Sequence, residues 1–373
     1  MVEERVLADR TIDTVAASGR LWRIPMWIGL CVVFLACELS AAVAAAQSIS
    51  LQGKTFYKDG RPWIAKGVHV GAFSRPMVIP SAPKWMNDSA AEARKLWGDG
   101  ELNAIRNKLH ADTLRFDFSQ PALDPTSAIY DPHYLDEVLA TVRAARSAGF
   151  LVIAVMNAQA PSGLPNLPCM PNDSTIRAWQ TLAPGLAHDK GVLLELFNEP
   201  CKPKTAQSDW ARGMQSVIDT VRRTGSTNIL LLDGLLFARV TSDLFPLVHD
   251  KMPNGLALAI HPYLVKGWFV TEKQWRSAFG DDAETYPMIV TEWNALATGG
   301  SCVGSDTPAV ALSLIRYLES LRLGIVGWGI DSKVGFLVKD HSTFELSDYS
   351  SFRDCNDGSL SGGGRLLANY PND

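Results

Sequence analysis

The sequence has no excess of either charge and few residues that bind metals. The formal net charge is −4 over 373 residues, with 35 Lys and Arg against 39 Asp and Glu. A basic surface for nucleic acid or for an anionic membrane is therefore not expected. The seven histidines form neither a His-x-His pair nor a His-Glu-x-x-His motif. No metal site and no cofactor are predicted from such a sequence.

A phosphate-binding loop is also missing. Gly362-Gly363-Gly364 has no predicted strand before it and no helix with Lys-Ser or Lys-Thr after it, so we interpret it as a flexible terminal loop. An open, doubly wound sheet would need a topological switch point and usually a Gly-rich first turn, and neither is evident. Internal repeats and low-complexity segments are absent too. The 47% hydrophobic content instead suits one sizeable globular core.

The N-terminus differs in kind from the rest of the chain. Arg20 and Arg23 precede an apolar segment at 24–36, which Glu38 and the small-residue run 41–46 follow. This order predicts a signal peptide over residues 1–46, and hence a secreted or periplasmic domain over 47–373. The alternative is an uncleaved membrane anchor, but Glu38 interrupts the apolar span short of the roughly 20 residues that a bilayer requires. Residues 1–19 make the leader unusually long, and a start codon placed too far upstream would explain this length.

Cysteine is scarce, with six residues in the whole chain. Two of them fall in the predicted signal peptide, which leaves Cys169, Cys201, Cys302 and Cys355 in the mature chain. An even number in an exported protein predicts two disulfides.

The mature chain alternates strand and helix patterns. Short apolar runs predict buried parallel strands at 63–70, 111–118, 150–157, 191–197, 228–233, 256–261, 288–292 and 324–330. Helices are predicted between them, at 88–110, 134–149, 174–188, 209–223 and 309–323. Asp59-Gly60 is typical of a hairpin turn. The predicted fold is a (β/α)₈ TIM barrel of the α/β class with a short N-terminal hairpin that closes its bottom.

Two predicted strands end in a carboxylate. Strand four runs into Asn198-Glu199-Pro200, where Pro200 ends the ladder because it has no N–H to donate, and strand seven ends at Glu292. Barrel enzymes carry their active sites at the C-terminal ends of the strands. Cleavage of a glycosidic bond requires two carboxylates, so Glu199 and Glu292 are the candidate catalytic pair. Other strand ends supply candidate supporting residues: His69, Arg115, Asn157, Asn198, His261, Tyr263 and Trp328.

These residues resemble glycoside hydrolase family 5, the cellulase-like group. Asn198-Glu199-Pro200 is similar to the acid/base motif of that family on strand four, His261-Pro262-Tyr263 to its His-x-Tyr on strand six, and Glu292 to its strand-seven nucleophile. Arg115 and Trp328 match its strand-two arginine and strand-eight tryptophan. The resemblance covers nearly the whole mature chain. One departure is Asn157, which stands where the family often has histidine.

The resemblance implies a role for each residue. Glu199 would be the general acid and then base, and we expect its neighbouring carboxylate to make it resist ionisation. Glu292 would be the nucleophile, which predicts retention and carboxyl groups about 5–5.5 Å apart. Arg115 and Tyr263 would support Glu292, Asn198 would bind the sugar 2-OH, and His261 would tune Glu199. Trp328 would stack on a sugar, and His69 is a further candidate at the rim.

The barrel order also indicates how the cysteines pair. Cys169 and Cys201 lie in neighbouring loops, as do Cys302 and Cys355, which favours Cys169–Cys201 and Cys302–Cys355 over the other two connectivities. Four tryptophans are candidates either for outer sugar platforms or for the core: Trp85, Trp268, Trp275 and Trp293.

Together the residues predict a monomeric, retaining, endo-acting β-glycosidase whose partner is a polysaccharide or oligosaccharide, with β-glucan as the leading substrate. Two alternatives within enzymes are a β-mannanase and an exo-β-glucanase. From another class, the alternative is a carbohydrate-binding barrel without turnover, for which the missing strand-three histidine is the support.

Overall fold

A computed structural model describes residues 47–296, 299–331, 337–351, 355 and 362–372. The predicted signal peptide at 1–46 lies outside these residues. Among the helices that are described, none has both the length and the apolar character needed to cross a membrane.

The core of the fold is a closed barrel of eight parallel strands, which confirms the predicted (β/α)₈ architecture. Around the barrel the strands are β4 (Lys66–Val70), β5 (Thr113–Ser119), β6 (Leu151–Asn157), β7 (Val192–Glu195), β8 (Leu230–Asp233), β9 (Leu256–Ile260), β10 (Met288–Trp293) and β11 (Gly324–Gly327). Every residue of these strands is buried. Helices cover their outer face and side chains fill the inside, so the strands read as continuous apolar runs.

Helices lie between the strands and after them. They are α1 (Lys84–Lys95), α2 (Asp99–Leu109), α3 (Gln120–Leu123), α4 (Pro132–Ser147), α5 (Asp173–Leu186), α6 (Gln207–Arg223), α7 (Glu272–Trp275), α8 (Asp281–Ala283), α9 (Thr307–Ser320) and α10 (Gly364–Asn369). A turn with left-handed backbone at Leu235–Ala238 follows β8, and the antiparallel pair β12 (Val338–Asp340) and β13 (Glu345–Leu346) follows β11.

The predicted N-terminal hairpin is present and closes the bottom of the barrel. It consists of β1 (Ile49–Gln52), β2 (Thr55–Lys58) and β3 (Arg61–Pro62). Asp59 and Gly60 join β2 to β3 with φ of 52° and 78°, the left-handed conformation that a tight hairpin turn needs. Its apolar residues share one hydrophobic cluster with the inward-facing barrel residues: Ile49, Leu51, Phe56, Trp63, Leu151, Ile153, Leu193, Leu231, Ala257, Ala259, Ile289 and Val326.

Two details of the sequence prediction were wrong. The helix predicted at 88–110 is two helices, α1 and α2, separated around Gly98, since glycine weakens a helix interior. The three glycines at 362–364 are buried rather than a loose loop, and Gly364 begins α10. A Cβ on Gly364 would lie 2.1 Å from the carbonyl oxygen of Leu337, so this close approach of two backbones requires glycine.

Both predicted disulfides are present. Cys169 and Cys201 have Cα atoms 5.5 Å apart, and those of Cys302 and Cys355 are 5.7 Å apart. The first bridge joins the loop after β6 to the residue that follows Pro200, and therefore stiffens the chain next to Glu199.

Candidate active site

The predicted site residues converge on one cavity at the C-terminal ends of the barrel strands. The cavity has a volume of about 490 Å³. Its lining includes His69, Asn157, Asn198, Glu199, Tyr263, Glu292 and Trp328. The two remaining candidates, Arg115 and His261, are fully buried. Arg115 contacts Glu292, and His261 contacts Glu199.

Glu199 and Glu292 face each other in this cavity. One carboxylate oxygen of each lies within 4.8 Å of the other, although the residues are 93 positions apart in the chain. His261 lies beside both, with Nδ1 3.0 Å from Glu199 Oε1 and 3.6 Å from Glu292 Oε2. Two carboxylates this close can contact the same bond of a bound molecule from two sides.

Glu292 is held by two donors, as the sequence predicts. Nη1 of Arg115 donates to Oε1 at 2.6 Å, and the Tyr263 hydroxyl donates to Oε2 at 3.1 Å. A positive charge therefore lies against one oxygen of Glu292 and a hydroxyl against the other. The two contacts also fix the plane of the carboxylate.

Arg115 has a larger role than the sequence indicates, because it donates to four side chains, those of Asp117, Glu195, Asn198 and Glu292. Its Nε and Nη2 donate to both oxygens of Glu195 at 2.8 and 2.7 Å, and Nη2 also donates to Asn198 Oδ1 at 2.7 Å. Arg115 and Glu195 are both fully buried. Since the Asn198 oxygen is taken by Arg115, its Nδ2 remains as the donor for a ligand in the cavity.

The backbone of Glu199 is in a conformation that few residues with a Cβ adopt. Its φ is 54°, in the left-handed region. Its N–H donates to Asp233 Oδ2 at 2.8 Å. The preceding amide, that of Asn198, donates to the carbonyl of Met156 at 2.9 Å. Strained backbone of this kind persists only where the surroundings hold it, and it is concentrated at functional sites.

The expectation that Glu199 resists ionisation was wrong. Burial by itself raises the pKa of Glu199, but the hydrogen bond and positive charge of His261 outweigh burial and place the pKa below the usual value for glutamate. Gln159 acts in the same direction, since its Nε2 donates to Glu199 Oε2 at 2.6 Å. The same contact raises the pKa of His261, so the two shifts favour an imidazolium beside an ionised Glu199; the second ring nitrogen lies 3.0 Å from Thr291 Oγ1.

The imidazolium form of His261 is favoured because several carboxylates surround it. Burial lowers the pKa of His261, yet the charge of Glu292 and the hydrogen bonds of Glu195 and Glu199 raise it well above the ordinary histidine value. The imidazole and Glu199 thus titrate as a pair that holds one proton between them.

Asn157 and His69 belong to a second buried network at the same cavity. Asn157 Nδ2 donates to Asp117 Oδ2 at 2.7 Å, and His69 Nε2 lies 3.2 Å from the same oxygen. Burial lowers the pKa of His69, but the charge of Asp117 outweighs burial and raises it. The His69 ring is stacked on Trp328, with centroids 6.2 Å apart. Asn157 therefore supports Asp117 where the family often has histidine.

Several polar residues of the site were missed by the sequence reasoning: Asp117, Gln159, Glu195, Asp233, Arg239 and Asp331. Asp117 and Glu195 had a usable signal. Glu195 ends the otherwise apolar strand β7, and Asp117 lies two residues from Arg115, on the same face of β5. Gln159 and Arg239 lie in loops, and their position at the site follows only from the fold.

The four candidate tryptophans form a buried pair and an exposed pair. Trp275 and Trp293 are fully buried core residues, so neither can stack on a sugar. Trp85 and Trp268 are 67% and 41% exposed and remain candidates for outer platforms.

Three groups of side chains offer the ligand types of a cation site: His69, Asp117 and Glu292; Glu195, Asp233 and His261; and Glu199, His261 and Glu292. Arg115 already donates to Glu195 and Glu292, and His261 already lies against Glu199. These positive groups balance the carboxylates, so we assign no metal ligands here.

Comparison with known proteins agrees with this geometry. The sequence model for Cellulase (glycosyl hydrolase family 5) matches residues 65–334. No curated protein matches the sequence. Among solved structures, a β-glucanase from Saccharophagus degradans in complex with cellotetraose superposes with a TM-score of 0.63 at 20% identity, covering 81% of this chain and 90% of that one.

A second solved structure is the catalytic domain of endoglucanase Cel5A from Thermobifida fusca. It superposes with a TM-score of 0.57 at 14% identity and covers 87% of this chain and 97% of that one. At these identities the structures show a shared fold, while the family match extends over most of the chain. The chain belongs to glycoside hydrolase family 5.

Proposed function

We propose that this protein is a retaining, endo-acting β-glucanase that hydrolyses β-linked glucose polymers by double displacement. The observation that carries the proposal is the pair Glu199 and Glu292, whose oxygens come within 4.8 Å across the cavity. Such a spacing suits a nucleophile that attacks directly, because an inverting enzyme keeps its carboxyl groups about 6.5–9.5 Å apart to admit a water.

In the first step Glu292 attacks the anomeric carbon while Glu199 protonates the glycosidic oxygen. The bond to the leaving sugar breaks, and an ester forms between Glu292 and the remaining glucan. In the second step Glu199, now a carboxylate, takes a proton from water as the water attacks the same carbon. Two inversions leave the product with the original β configuration.

The resting position of the proton fits this cycle. In the free protein His261 holds the proton and Glu199 is ionised. A glycosidic oxygen near Glu199 displaces water and favours the neutral form, and the proton then passes from Nδ1 to Oε1 along the hydrogen bond that joins them, whose heavy atoms are 3.0 Å apart. Net charge in the pair stays constant, so the transfer needs no proton from solvent.

The substrate class is inferred from relatives. The Saccharophagus degradans β-glucanase was crystallised with cellotetraose, and a Thermobifida fusca endoglucanase variant likewise. The lining of the cavity includes the side chain of Asn198, whose oxygen is taken by Arg115 and whose Nδ2 can donate to a glucan hydroxyl. The missing strand-three histidine does not leave Glu199 unsupported, since Gln159 donates to it.

We also propose that the protein is exported. Its two disulfides are typical of an oxidising compartment, and the N-terminal 46 residues have the pattern of a signal peptide.

The test is hydrolysis of a panel of β-1,4-glucan, β-1,3-glucan, mannan and xyloglucan, with product lengths and anomeric configuration followed by chromatography and NMR. We expect internal cleavage of a β-glucan with β-anomers formed first. An α-anomer as the first product would contradict double displacement. Binding of glucan with no turnover would instead support the carbohydrate-binding alternative.

Glu199→Ala is expected to lower kcat on β-glucan by about 10²–10⁴-fold, because both proton transfers lose their partner. Azide should restore turnover of an activated aryl β-glycoside and release a β-glycosyl azide, since a small anion can attack the intermediate without a base. The matched control is Glu272→Ala on the exposed surface, which should leave kcat unchanged. Equal activity of Glu199→Ala and wild type would remove Glu199 from the mechanism.

His261→Gln is expected to move the alkaline limb of the kcat/KM profile to lower pH. In the wild type that limb reports loss of the proton shared by His261 and Glu199, and the carboxylates around His261 raise its pKa. In the variant only Glu199 is left to hold the proton. The measurement is kcat/KM against pH for both proteins, and an alkaline limb that stays in place or moves upward would show that His261 does not share the proton.

A further inference from the structure

Asp233 is a buried carboxyl at the end of β8 that the mechanism above does not use. Its side chain is fully buried. Oδ2 accepts the N–H of Glu199 at 2.8 Å, and its own carbonyl accepts Trp210 Nε1 at 2.8 Å. Asp233 therefore joins a rigid barrel strand to the backbone of the proposed acid/base.

That backbone needs an external support. Glu199 has a φ of 54°, which a residue with a Cβ seldom adopts. Within the described residues, Asp233 Oδ2 is the partner of its N–H. If this hydrogen bond were lost, Glu199 could relax to an extended conformation that turns its carboxyl away from Glu292.

The second oxygen of Asp233 has a different environment. Oδ1 is buried and has no donor among the described residues. Glu195 and His261 each have an atom within 4.8 Å of the Asp233 carboxyl, and His261 Nε2 lies 3.8 Å from Oδ2. An ionised carboxylate disfavours the ionisation of a second carboxyl beside it unless a positive group balances both. Glu195 receives two hydrogen bonds from Arg115 and is the ionised member of the pair.

An orphaned oxygen beside an ionised carboxylate is explained if it carries a proton. We propose that Asp233 is a positioning residue: a protonated carboxyl whose carbonyl oxygen Oδ2 holds the Glu199 N–H and whose hydroxyl Oδ1 donates to Glu195. The inference rests on the proposed function, since it assigns Glu199 as the group to be positioned. The charged groups that face Asp233 are Glu195 and Arg115 from the barrel interior, His261 from the end of β9, and Glu199 itself.

The electrostatics of the site agree with this assignment. Burial, followed by the charge of Glu195, raises the pKa of Asp233 well above the ordinary aspartate value. Asparagine has the same shape as a protonated aspartate, with one acceptor and one donor in the same places. Asp233→Asn should therefore reproduce both contacts, whereas Asp233→Ala removes both.

The first test compares kcat, KM and pH profiles on the same glucan. Asp233→Asn is expected to keep kcat within about twofold of wild type and to leave the alkaline limb in place, because no charge is lost. Asp233→Ala and Asp233→Ser are expected to lower kcat roughly 10- to 100-fold, by misplacing a general acid, while KM changes little. The proposal would be overturned if Asp233→Ala or Asp233→Ser folds and keeps the wild-type kcat. It would also be overturned if Asp233→Asn loses activity or shifts the pH profile.

The second test does not depend on catalysis. An aspartate protonated in the folded state and ionised in the unfolded state loses stability as pH rises above about 3.9, the unfolded pKa. Asp233→Asn lacks this loss, so its folding equilibrium constant relative to wild type should rise about tenfold per pH unit up to the raised pKa. Urea unfolding between pH 5 and 7, with disulfides intact, measures the ratio.

A ratio that does not change with pH would show that Asp233 is ionised and would overturn the inference even if the enzyme is active. If the protein hydrolyses none of the glucans but the ratio of folding constants rises tenfold per pH unit, only the proposed function is overturned. If neither Asp233→Ala nor Asp233→Ser folds, the activity of Asp233→Asn and the pH dependence of its stability relative to wild type together test the proposal.

Discussion

Glu292→Ala is expected to lower kcat on β-glucan by a factor on the order of 10⁵ to 10⁶, the range seen when a covalent nucleophile is removed. No other described carboxylate of the cavity is held as Glu292 is, by Arg115 at 2.6 Å and Tyr263 at 3.1 Å. Without it the anomeric carbon has no group to form the ester. Initial rates of sugar release, corrected for trace wild-type enzyme, provide the measurement.

The identity of the nucleophile can be tested separately from the rate. A 2-fluoro glycoside slows both steps, and on the wild type it should leave a sugar attached to the peptide that contains Glu292. Azide with Glu292→Ala should produce an α-glycosyl azide, the opposite configuration to that expected for Glu199→Ala. A label on Glu199, or β-azide from the Glu292 variant, would reverse the two assignments.

Arg115→Met is expected to lower the free energy of unfolding by about 3–5 kcal/mol, the cost of leaving buried charges without their partner. Arg115 is fully buried and pairs with Glu195 and Glu292, and it also donates to Asn198. Methionine fills similar space but cannot donate, so both carboxylates stay buried and unpaired. Urea unfolding at neutral pH, with the disulfides intact, measures the loss.

The same substitution at Arg276 is the matched control. Arg276 pairs with Asp281 and Glu284 on the surface, where solvent screens the charges, and its loss should have little effect on unfolding. Arg115→Met should also lose most activity, since Glu292 and Asn198 share its donors. A variant as stable as wild type would mean that Glu195 and Glu292 take up protons when Arg115 is removed. In that case its stability should fall as pH rises.

The fold could be predicted because its signals are local. Strands buried on both faces are rich in apolar residues, so runs such as Leu151–Asn157 and Leu256–Ile260 stand out from the amphipathic helices between them. Asp59 and Gly60 mark the hairpin turn, and the loops that carry the four cysteines are neighbours in any barrel of this order. The boundary between α1 and α2 was missed, because one glycine is a weak signal within a helical pattern.

The candidate pair could be predicted for a related reason. Glu199 follows the apolar strand β7, Glu292 lies at the end of β10, and the C-terminal ends of parallel strands meet at one face of the barrel. Arg115, Asn198, His261 and Tyr263 were found by position and by resemblance to the family, and the structure brings them within hydrogen-bonding distance of the site.

What the sequence by itself determined is therefore the order of strands, the ends at which polar residues appear, and the two carboxylates. What only the tertiary structure decided is the charge environment of the site: His261 lies 3.0 Å from Glu199 and lowers its pKa, and Arg115 pairs with Glu195 as well as Glu292. The physical reason is that protonation depends on burial and on neighbours a few ångströms away. Those neighbours come from strands that are distant in the chain.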